Sequence, residues 1–316
     1  MILKVCCSKA KILFVFLAFV SLAGSSQTDS LLNPKPKLYP GWTLYAPGGT
    51  HFYDHRIVEG LLFSGIELGG ITLGIVYNNH LKSQSTSPYY NFPLLLGMQA
   101  YNIDKCDWLR NRLEIMKYYN PDFKYDPVKF NDLLKAPFRP ENVFKPITGA
   151  FVLVAIAELY FTGRHADHSF RNIDKMYFVD GYLDRNPALA IYGATSLAAS
   201  YGAGVAEEYY FRNGIMPVWD YKLGQKKGLI YSSLFFGSVH LGNLMFSGKP
   251  DFGAALLQVA EASIAGYFLG RDVQKRDYNI GPAVAAHMWY DFILMLGSFL
   301  IDPENNFLGV SMKFKI

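Results

Sequence analysis

Residues 198–212 read AASYGAGVAEEYYFR, an apolar run of small residues that ends in two glutamates and an arginine. A charged side chain at the centre of a bilayer costs roughly 2.5–3.5 kcal/mol on insertion scales, so such groups usually face one another or a wet cavity. Two later apolar stretches carry residues of the same kind, first His240 and then His287 with Asp291. The chain is therefore predicted to bury a polar site among membrane helices.

The composition also indicates a membrane protein. Hydrophobic residues make up 51% of the 316-residue chain and charged residues only 18%, against about 25% charged residues in soluble globular chains. The net charge of +4 is spread over many loops, which argues against nucleic acid as a partner. The three cysteines, Cys6, Cys7 and Cys106, form no metal or disulfide framework by their spacing.

The N-terminus has the pattern of a targeting segment. Three lysines precede an apolar run at residues 12–24, and the small polar segment 25–27 follows it. A run of this length is too short to span a bilayer comfortably. Residues 1–27 are therefore predicted to be a signal peptide or an N-terminal anchor.

Six further stretches are long enough to cross a bilayer of about 30 Å. They are residues 57–77, 146–163, 187–211, 229–246, 252–270 and 280–301. A seventh stretch, residues 92–103, is short and is predicted to be an interfacial or re-entrant piece, followed by a polar, soluble loop with helical pieces. The predicted fold is all-α, a polytopic membrane helical bundle of about six transmembrane helices.

The same pattern predicts the domain organisation. Residues 28–145 are an N-terminal region with one transmembrane helix and a polar cytoplasmic loop, residues 146–301 are a helical domain that holds the polar site, and residues 302–316 are a C-terminal tail. Within the tail, residues 307–316 alternate weakly and could form one short strand.

Lys and Arg in the short loops predict the orientation. The loops after residues 211 and 270 are both rich in these residues, and such loops favour the cytoplasm. The segment 25–56 then lies on the periplasmic or extracellular side. The predicted location is the cell membrane, as a multi-pass protein of the bacterial inner membrane.

The first polar cluster lies at the end of its apolar stretch. Glu208 and Arg212 are four residues apart, so on a helix they share one face and can pair. Glu207 is rotated by about 100° from Glu208, which leaves its carboxylate free. A free carboxylate in an apolar pocket suits a general base for water. The alternative is an ordinary helix terminus at the membrane interface, where Glu and Arg are common.

The other two clusters are weaker when each is taken alone. His240 is placed mid-helix, four residues after Phe236 and one turn before Asn243, and a lone buried histidine is more often structural than catalytic. His287 and Asp291 are four residues apart on one face, which fits a metal clamp, a hydrogen-bonded unit or an interhelical tie. Three polar clusters on three apolar stretches are stronger evidence together.

These residues resemble the CPBP intramembrane peptidases, a family that includes type II CAAX prenyl endopeptidases and bacteriocin-processing or immunity proteins. The family signature is E-E-x-x-x-R, then F-x-x-x-H, then H-x-x-x-N or a close variant, each on its own membrane helix. The chain shows these motifs in this order, and the resemblance covers about residues 187–301. The matching residues are Glu207, Glu208, Arg212, Phe236, His240, His287 and Asp291.

The resemblance implies a role for each of these positions. Glu207 and His240 would activate the attacking water, and His287 with Asp291 would steady the oxyanion. Glu208 and Arg212 would hold the first helix in place, with Phe236 and Asn243 as further supporting residues. The departure is Asp291, because the commonest family pattern has Asn there. An ionised Asp repels an oxyanion, so Asp291 must be protonated, paired with a cation, or in another role.

The resemblance further implies a glutamate-type mechanism without a metal or other cofactor. A glutamate, two histidines and an aspartate could also ligate Zn²⁺ with an open position for water, although the chain has no H-E-x-x-H motif. No metal is the reading that we favour, with zinc as the alternative.

The predicted function is that of an intramembrane endopeptidase, and residues 146–301 are accordingly a CPBP-like peptidase domain. Its partners are the lipid bilayer and a membrane-associated peptide or protein substrate. The first alternative is a non-proteolytic immunity or scaffold protein of the same fold. The second is an ion or proton transporter that uses the buried carboxylates, which would need a polar path open to both faces.

Overall fold

The computed structural model describes residues 36–83, 92–125, 128–164, 170, 174–178, 181–242 and 252–303. Its α-helices are α1 (Trp42–Tyr45), α2 (Gly49–Tyr53), α3 (Ile57–Ser83), α4 (Phe92–Tyr119), α5 (Phe130–Lys135), α6 (Pro140–Val143), α7 (Pro146–Gly163), α8 (Arg185–Tyr210), α9 (Met216–Leu223), α10 (Gln225–Val239), α11 (Phe252–Lys275) and α12 (Gly281–Ile301). Single 3₁₀ turns lie at Ala136–Phe138 and His240–Gly242, and a π-helical turn at Phe211–Ile215 joins α8 to α9. The all-α prediction is confirmed.

The helices pack as a bundle in which α12 lies between α7 and α8. Helix α4 packs against α3 on one side and α8 on the other, while α10 packs against α9 and α11. Small residues line the start of α12, where Ala283, Ala285 and Ala286 have no exposed area. Large apolar side chains such as Leu153 and Leu257 are 60% exposed or more on the outer faces of α7 and α11, as expected where a helix faces lipid.

Three of the described helical segments are long and apolar enough to cross a membrane: Ile57–Val76, Phe252–Lys275 and Gly281–Ile301. Pro146–Phe161 is a shorter apolar helix. The apolar run predicted at residues 229–246 is broken, because α10 ends at Val239 and a 3₁₀ turn follows. The number of six spans stays a prediction.

The N-terminal half differs from the prediction at residues 92–119. They form one helix of 28 residues, where the sequence predicted a short interfacial piece followed by a soluble loop. The helix continues because its buried face continues: Leu109 and Leu113 are 7% and 0% exposed. The polar residues that suggested a loop are paired inside the protein, as Asp104 and Lys105 are.

A small antiparallel hairpin precedes α8. Strand β1 (Lys175–Phe178) pairs with β2 (Gly181–Asp184), and Lys175 lies opposite Asp184. The sequence did not predict these strands. The signal peptide or anchor predicted at residues 1–27, the strand predicted at residues 307–316 and the supporting residue Asn243 all lie outside the described residues.

Candidate functional site

Helices α8 and α12 meet at Gly204, and this close approach brings the first and third motifs together. A Cβ at position 204 would lie 2.9 Å from the Cβ of Met288 and 3.0 Å from its backbone nitrogen. Only a glycine lets the two backbones come this near. Glu208, one turn after Gly204, thereby lies beside His287, the neighbour of Met288.

Glu208 is held between two partners. Its Oε1 lies 2.8 Å from His287 Nδ1, and its Oε2 lies 3.2 Å from Arg212 Nε. Glu208 has no exposed area and Arg212 is 2% exposed. The predicted pairing of Glu208 with Arg212 is confirmed. The sequence did not predict the hydrogen bond between Glu208 and His287. The signal for it was that only one of the two oxygens of Glu208 had an assigned partner.

Arg212 belongs to the π-helical turn. Such turns hold one extra residue within a helix and occur frequently at functional sites. The guanidinium lies 4.1 Å from the centre of the Phe236 ring on α10, a cation–π distance. It also fills the space beside Gly266 on α11, where a Cβ would lie 3.2 Å from Nη2. Arg212 therefore contacts α10 and α11 from the end of α8, and its supporting role stays a prediction.

Glu207 and Asp291 are the more accessible carboxylates beside His287. Asp291 Oδ2 lies 3.4 Å from His287 Nε2, and Glu207 Oε2 lies 4.0 Å from the same atom. Their side chains are 20% and 21% exposed, whereas that of Glu208 is fully buried. His287 thus has a carboxylate at Nδ1 and two more near Nε2. Both ring nitrogens of His287 therefore face carboxylate oxygens, which are hydrogen-bond acceptors.

His240 occupies a different position from the predicted one. It is the first residue of the 3₁₀ turn after α10 rather than a mid-helix residue. The last carbonyl groups of a helix lack partners within the helix, and His240 bonds to one of them. His240 Nδ1 lies 2.9 Å from the carbonyl oxygen of Phe236. With the hydrogen on Nδ1, Nε2 is the ring nitrogen that can act as a hydrogen-bond acceptor.

The Phe236 ring connects His240 to the rest of the cluster. Its centre lies 5.1 Å from that of His240 and 6.1 Å from that of His287, and both pairs are nearly perpendicular. His240 also lies within electrostatic range of Glu207. The structure therefore gathers every predicted site residue that it describes around Phe236 and His287. Among those residues, no group of three or more His, Cys, Asp and Glu side chains is arranged to hold a metal ion, and the prediction on cofactors stays a prediction.

Tyr290, next to Asp291, ties this part of α12 to α7. Its hydroxyl lies 2.9 Å and 3.1 Å from the two carboxylate oxygens of Glu158. The hydroxyl can donate only one proton, so the two oxygens share it. This contact fixes the outer side of α12 beside Asp291.

The motif-bearing helices are similar to a known protein family. The family model described as type II CAAX prenyl endopeptidase Rce1-like matches residues 190–293. This range runs from α8 into α12 and contains each of the motifs described above. No curated protein and no solved structure matches the chain.

Proposed function

From the premise that residues 190–293 form a type II CAAX prenyl endopeptidase Rce1-like domain, we propose that the site around His287 hydrolyses a peptide bond of a membrane-associated substrate. The observation that carries the proposal is the contrast between the two adjacent glutamates. Both carboxylate oxygens of Glu208 are paired, one with Arg212 and one with His287. The carboxylate of Glu207 lies near the same histidine and remains accessible.

The chemistry begins with a water between Glu207 and His287. Two polar atoms 4.0 Å apart can share one water that makes a hydrogen bond of about 2.8 Å to each. Glu207 takes a proton from this water while the water oxygen forms a bond to the peptide carbonyl carbon. The carbonyl π electrons move to the carbonyl oxygen. When the C–N bond breaks, the proton on Glu207 passes to the leaving nitrogen.

The oxyanion that forms in this step needs a donor. His287 Nε2–H is the donor that we assign, since Nδ1 is engaged with Glu208. This donor first holds the water, and its hydrogen bond passes to the oxyanion once the water oxygen has bonded to the carbonyl carbon. Asp291 then acts through His287 rather than on the oxyanion, because its carboxylate lies 3.4 Å from Nε2. His240, which lies within electrostatic range of Glu207, assists in activating the water.

The test is a comparison of membrane peptides from cells that carry the wild type, Glu207→Gln or the control Glu141→Gln. Glu141 is an exposed glutamate on α6, so the control makes the same chemical change away from the site. We expect substrate fragments in the wild type and the control that are missing only in Glu207→Gln. Identical peptide profiles at equal protein levels would contradict the proposal.

A non-proteolytic immunity or scaffold protein of the same fold is the second candidate. It is favoured by the presence of Asp291 at the position where the commonest family pattern has Asn. If Asp291 supports catalysis through His287, Asp291→Ala should lower fragment release by about tenfold or more. This is less than the roughly 10²- to 10³-fold cost of losing a direct oxyanion donor, because Asp291 acts only through His287. If the protein is a scaffold, Glu207→Gln and Asp291→Ala should both leave its effect on the host cell intact.

A further inference from the structure

Helix α4 lies outside the region that matches the family model, yet it contacts the residue next to the two glutamates. Tyr209 follows Glu208 directly and is 1% exposed. Its hydroxyl accepts a hydrogen bond from Arg110 Nη1 on α4 at 2.6 Å, and it lies 3.3 Å from Asp107 Oδ1. The Tyr209 side chain is therefore fixed at its far end by two charged groups.

The backbone of Tyr209 is held by the same helix. Cys106 Sγ lies 2.9 Å from the carbonyl oxygen of Tyr209, and Cys106 has no exposed area. This contact lies two residues before the first residue of the π-helical turn Phe211–Ile215, where the regular ladder of helix hydrogen bonds is interrupted. A donor from a neighbouring helix at this point stabilises the backbone where the helix itself is weakest.

A second contact fixes the register between α4 and α8. Gln99 Nε2 donates to the carbonyl oxygen of Ala199 at 3.3 Å. A Cβ on Gly202 would lie 2.1 Å from Gln99 Oε1, so α8 can approach this side chain only through a glycine. Helix α4 is thus held to α8 on both sides of the segment that leads to the glutamates.

We propose that Cys106, Arg110 and Tyr209 are positioning residues for Glu207 and Glu208, so that a helix outside the Rce1-like region sets the geometry of the site. Tyr209 cannot move along or around the helix axis without moving Glu208, whose two oxygens are engaged with His287 and Arg212. The inference that this geometry serves catalysis rests on the function proposed above. The inference that α4 fixes Glu208 does not.

The first measurement follows His287 by NMR of the full chain in lipid nanodiscs, labelled with ¹⁵N-histidine. The Nδ1 resonance, assigned by its loss in His287→Gln, reports the hydrogen bond to Glu208. Tyr209→Phe removes only the hydroxyl that Arg110 holds. We expect this variant to shift the resonance by more than its linewidth.

The matched control is Tyr201→Phe on the same helix. Its hydroxyl also reaches a neighbouring element, since it donates to the carbonyl oxygen of Leu134 at 2.9 Å. Tyr201→Phe should leave the His287 resonance in place. Should Tyr209→Phe fail to fold, Cys106→Ala and Cys106→Ser provide the comparison, because only serine retains a donor. Folded Tyr209→Phe and Cys106→Ala proteins with an unmoved resonance would overturn the proposal.

The second measurement is release of the fragments that distinguish the wild type from Glu207→Gln. We expect Tyr209→Phe to lower their yield by about tenfold or more, since a displacement of about 1 Å can cost on the order of a hundredfold in rate. A shifted resonance with undiminished release would contradict the positioning role. If Glu207→Gln has no effect on any fragment, the proposed function fails, and the resonance alone still decides whether α4 fixes Glu208.

Discussion

The two adjacent glutamates show how neighbouring residues acquire opposite tasks. Both have the same side chain, but the helix rotates them by about 100°, so that Glu208 faces α12 and Arg212 while Glu207 faces accessible space. The buried carboxylate is compensated by two cationic or donating partners. Its accessible neighbour retains the freedom that a base requires.

Glu208→Gln should destabilise the protein far more than Glu207→Gln. Without the Glu208 carboxylate, the Arg212 guanidinium is left buried and unpaired, and breaking a buried pair in this way costs about 3–5 kcal/mol. Glu207→Gln breaks no contact shorter than 4.0 Å among the ion pairs of this site. Thermal unfolding of both variants in the same detergent measures the difference. Equal melting temperatures for Glu208→Gln and Glu207→Gln would show that the buried ion pair of Glu208 does not stabilise the protein.

Sequence spacing predicted contacts within one helix at this scale and missed those between helices. The pairs Glu208–Arg212 and His287–Asp291 follow from a separation of four residues. The bond between Glu208 and His287 depends on how α8 and α12 pack, which no local pattern encodes. The motif resemblance named residues that the structure brings close together, and their roles stay a prediction. It could not assign two partners to Glu208 or place His240 beyond the end of α10.

At the scale of elements, the contact between α8 and α12 depends on one glycine. Gly204→Ala should cost about 1–3 kcal/mol of unfolding free energy, because overpacking a well-filled contact forces the helices apart. The matched control is Gly193→Ala on the same helix, where the nearest atom to an added Cβ is Leu296 Cδ1 at 3.8 Å. Thermal unfolding should show a loss for Gly204→Ala alone. If Gly193→Ala loses as much stability as Gly204→Ala, the loss arises from any Gly-to-Ala change in α8 and not from the contact with α12.

Asp220 joins α9 to the turn after α11 and should make stability depend on pH. Its Oδ2 accepts hydrogen bonds from Tyr278 at 2.6 Å and Gln274 at 2.8 Å, and burial raises the pKa of Asp220 above its usual value. The folded state then binds this proton more tightly than the unfolded state. Stability falls as the pH rises from the usual carboxyl value through the raised pKa.

Asp220→Asn should remove this dependence. The free energy of unfolding of the wild type, measured relative to the variant, should be greatest at low pH and decline through that window. Asp122→Asn, at an exposed position, is the control and should keep the wild-type slope. A pH profile that is the same for all three proteins would show that Asp220 holds its ordinary pKa.

Apolar runs predicted the helices that face lipid, because such helices carry a continuous signal. Helix α7 begins and ends at the predicted residues 146 and 163. Helix α4 was missed because its polar residues are buried in pairs, so its composition resembles that of a loop. The hairpin Lys175–Asp184 was missed because two strands of four residues carry too little periodicity to stand out.

At the scale of the whole molecule, the N-terminal half is joined to the rest through α4. This half contains a buried polar cluster, in which Asp104 and Lys105 have no exposed area and form an ion pair with each other. Lys105 Nζ also donates to the carbonyl oxygen of Ala46, and Asp104 accepts from Thr50 Oγ1. This cluster fixes the segment before α3 onto α4, the helix that carries Cys106 and Arg110.

Lys105→Met should destabilise the whole protein by about 3–5 kcal/mol, because it leaves the buried Asp104 carboxylate without its cation. The control is Lys124→Met, since Lys124 is 76% exposed in its pair with Asp277 and exposed pairs contribute about 1 kcal/mol at most. Unfolding followed by intrinsic fluorescence measures both. If Lys105→Met is no more costly than the control, the cluster is not part of the cooperative unit.

The π-helical turn Phe211–Ile215 constrains the length of the chain itself. It contains one residue more than an α-helical turn, so deleting a single residue there would restore regular pitch and rotate the following helix by about 100° relative to α8. Asp220 would then swing away from Tyr278 and Gln274, although neither of these residues had changed. Deletion of one residue would therefore separate two parts of the bundle that are distant in sequence. Relatives of this protein should tolerate substitutions in the turn more readily than deletions from it.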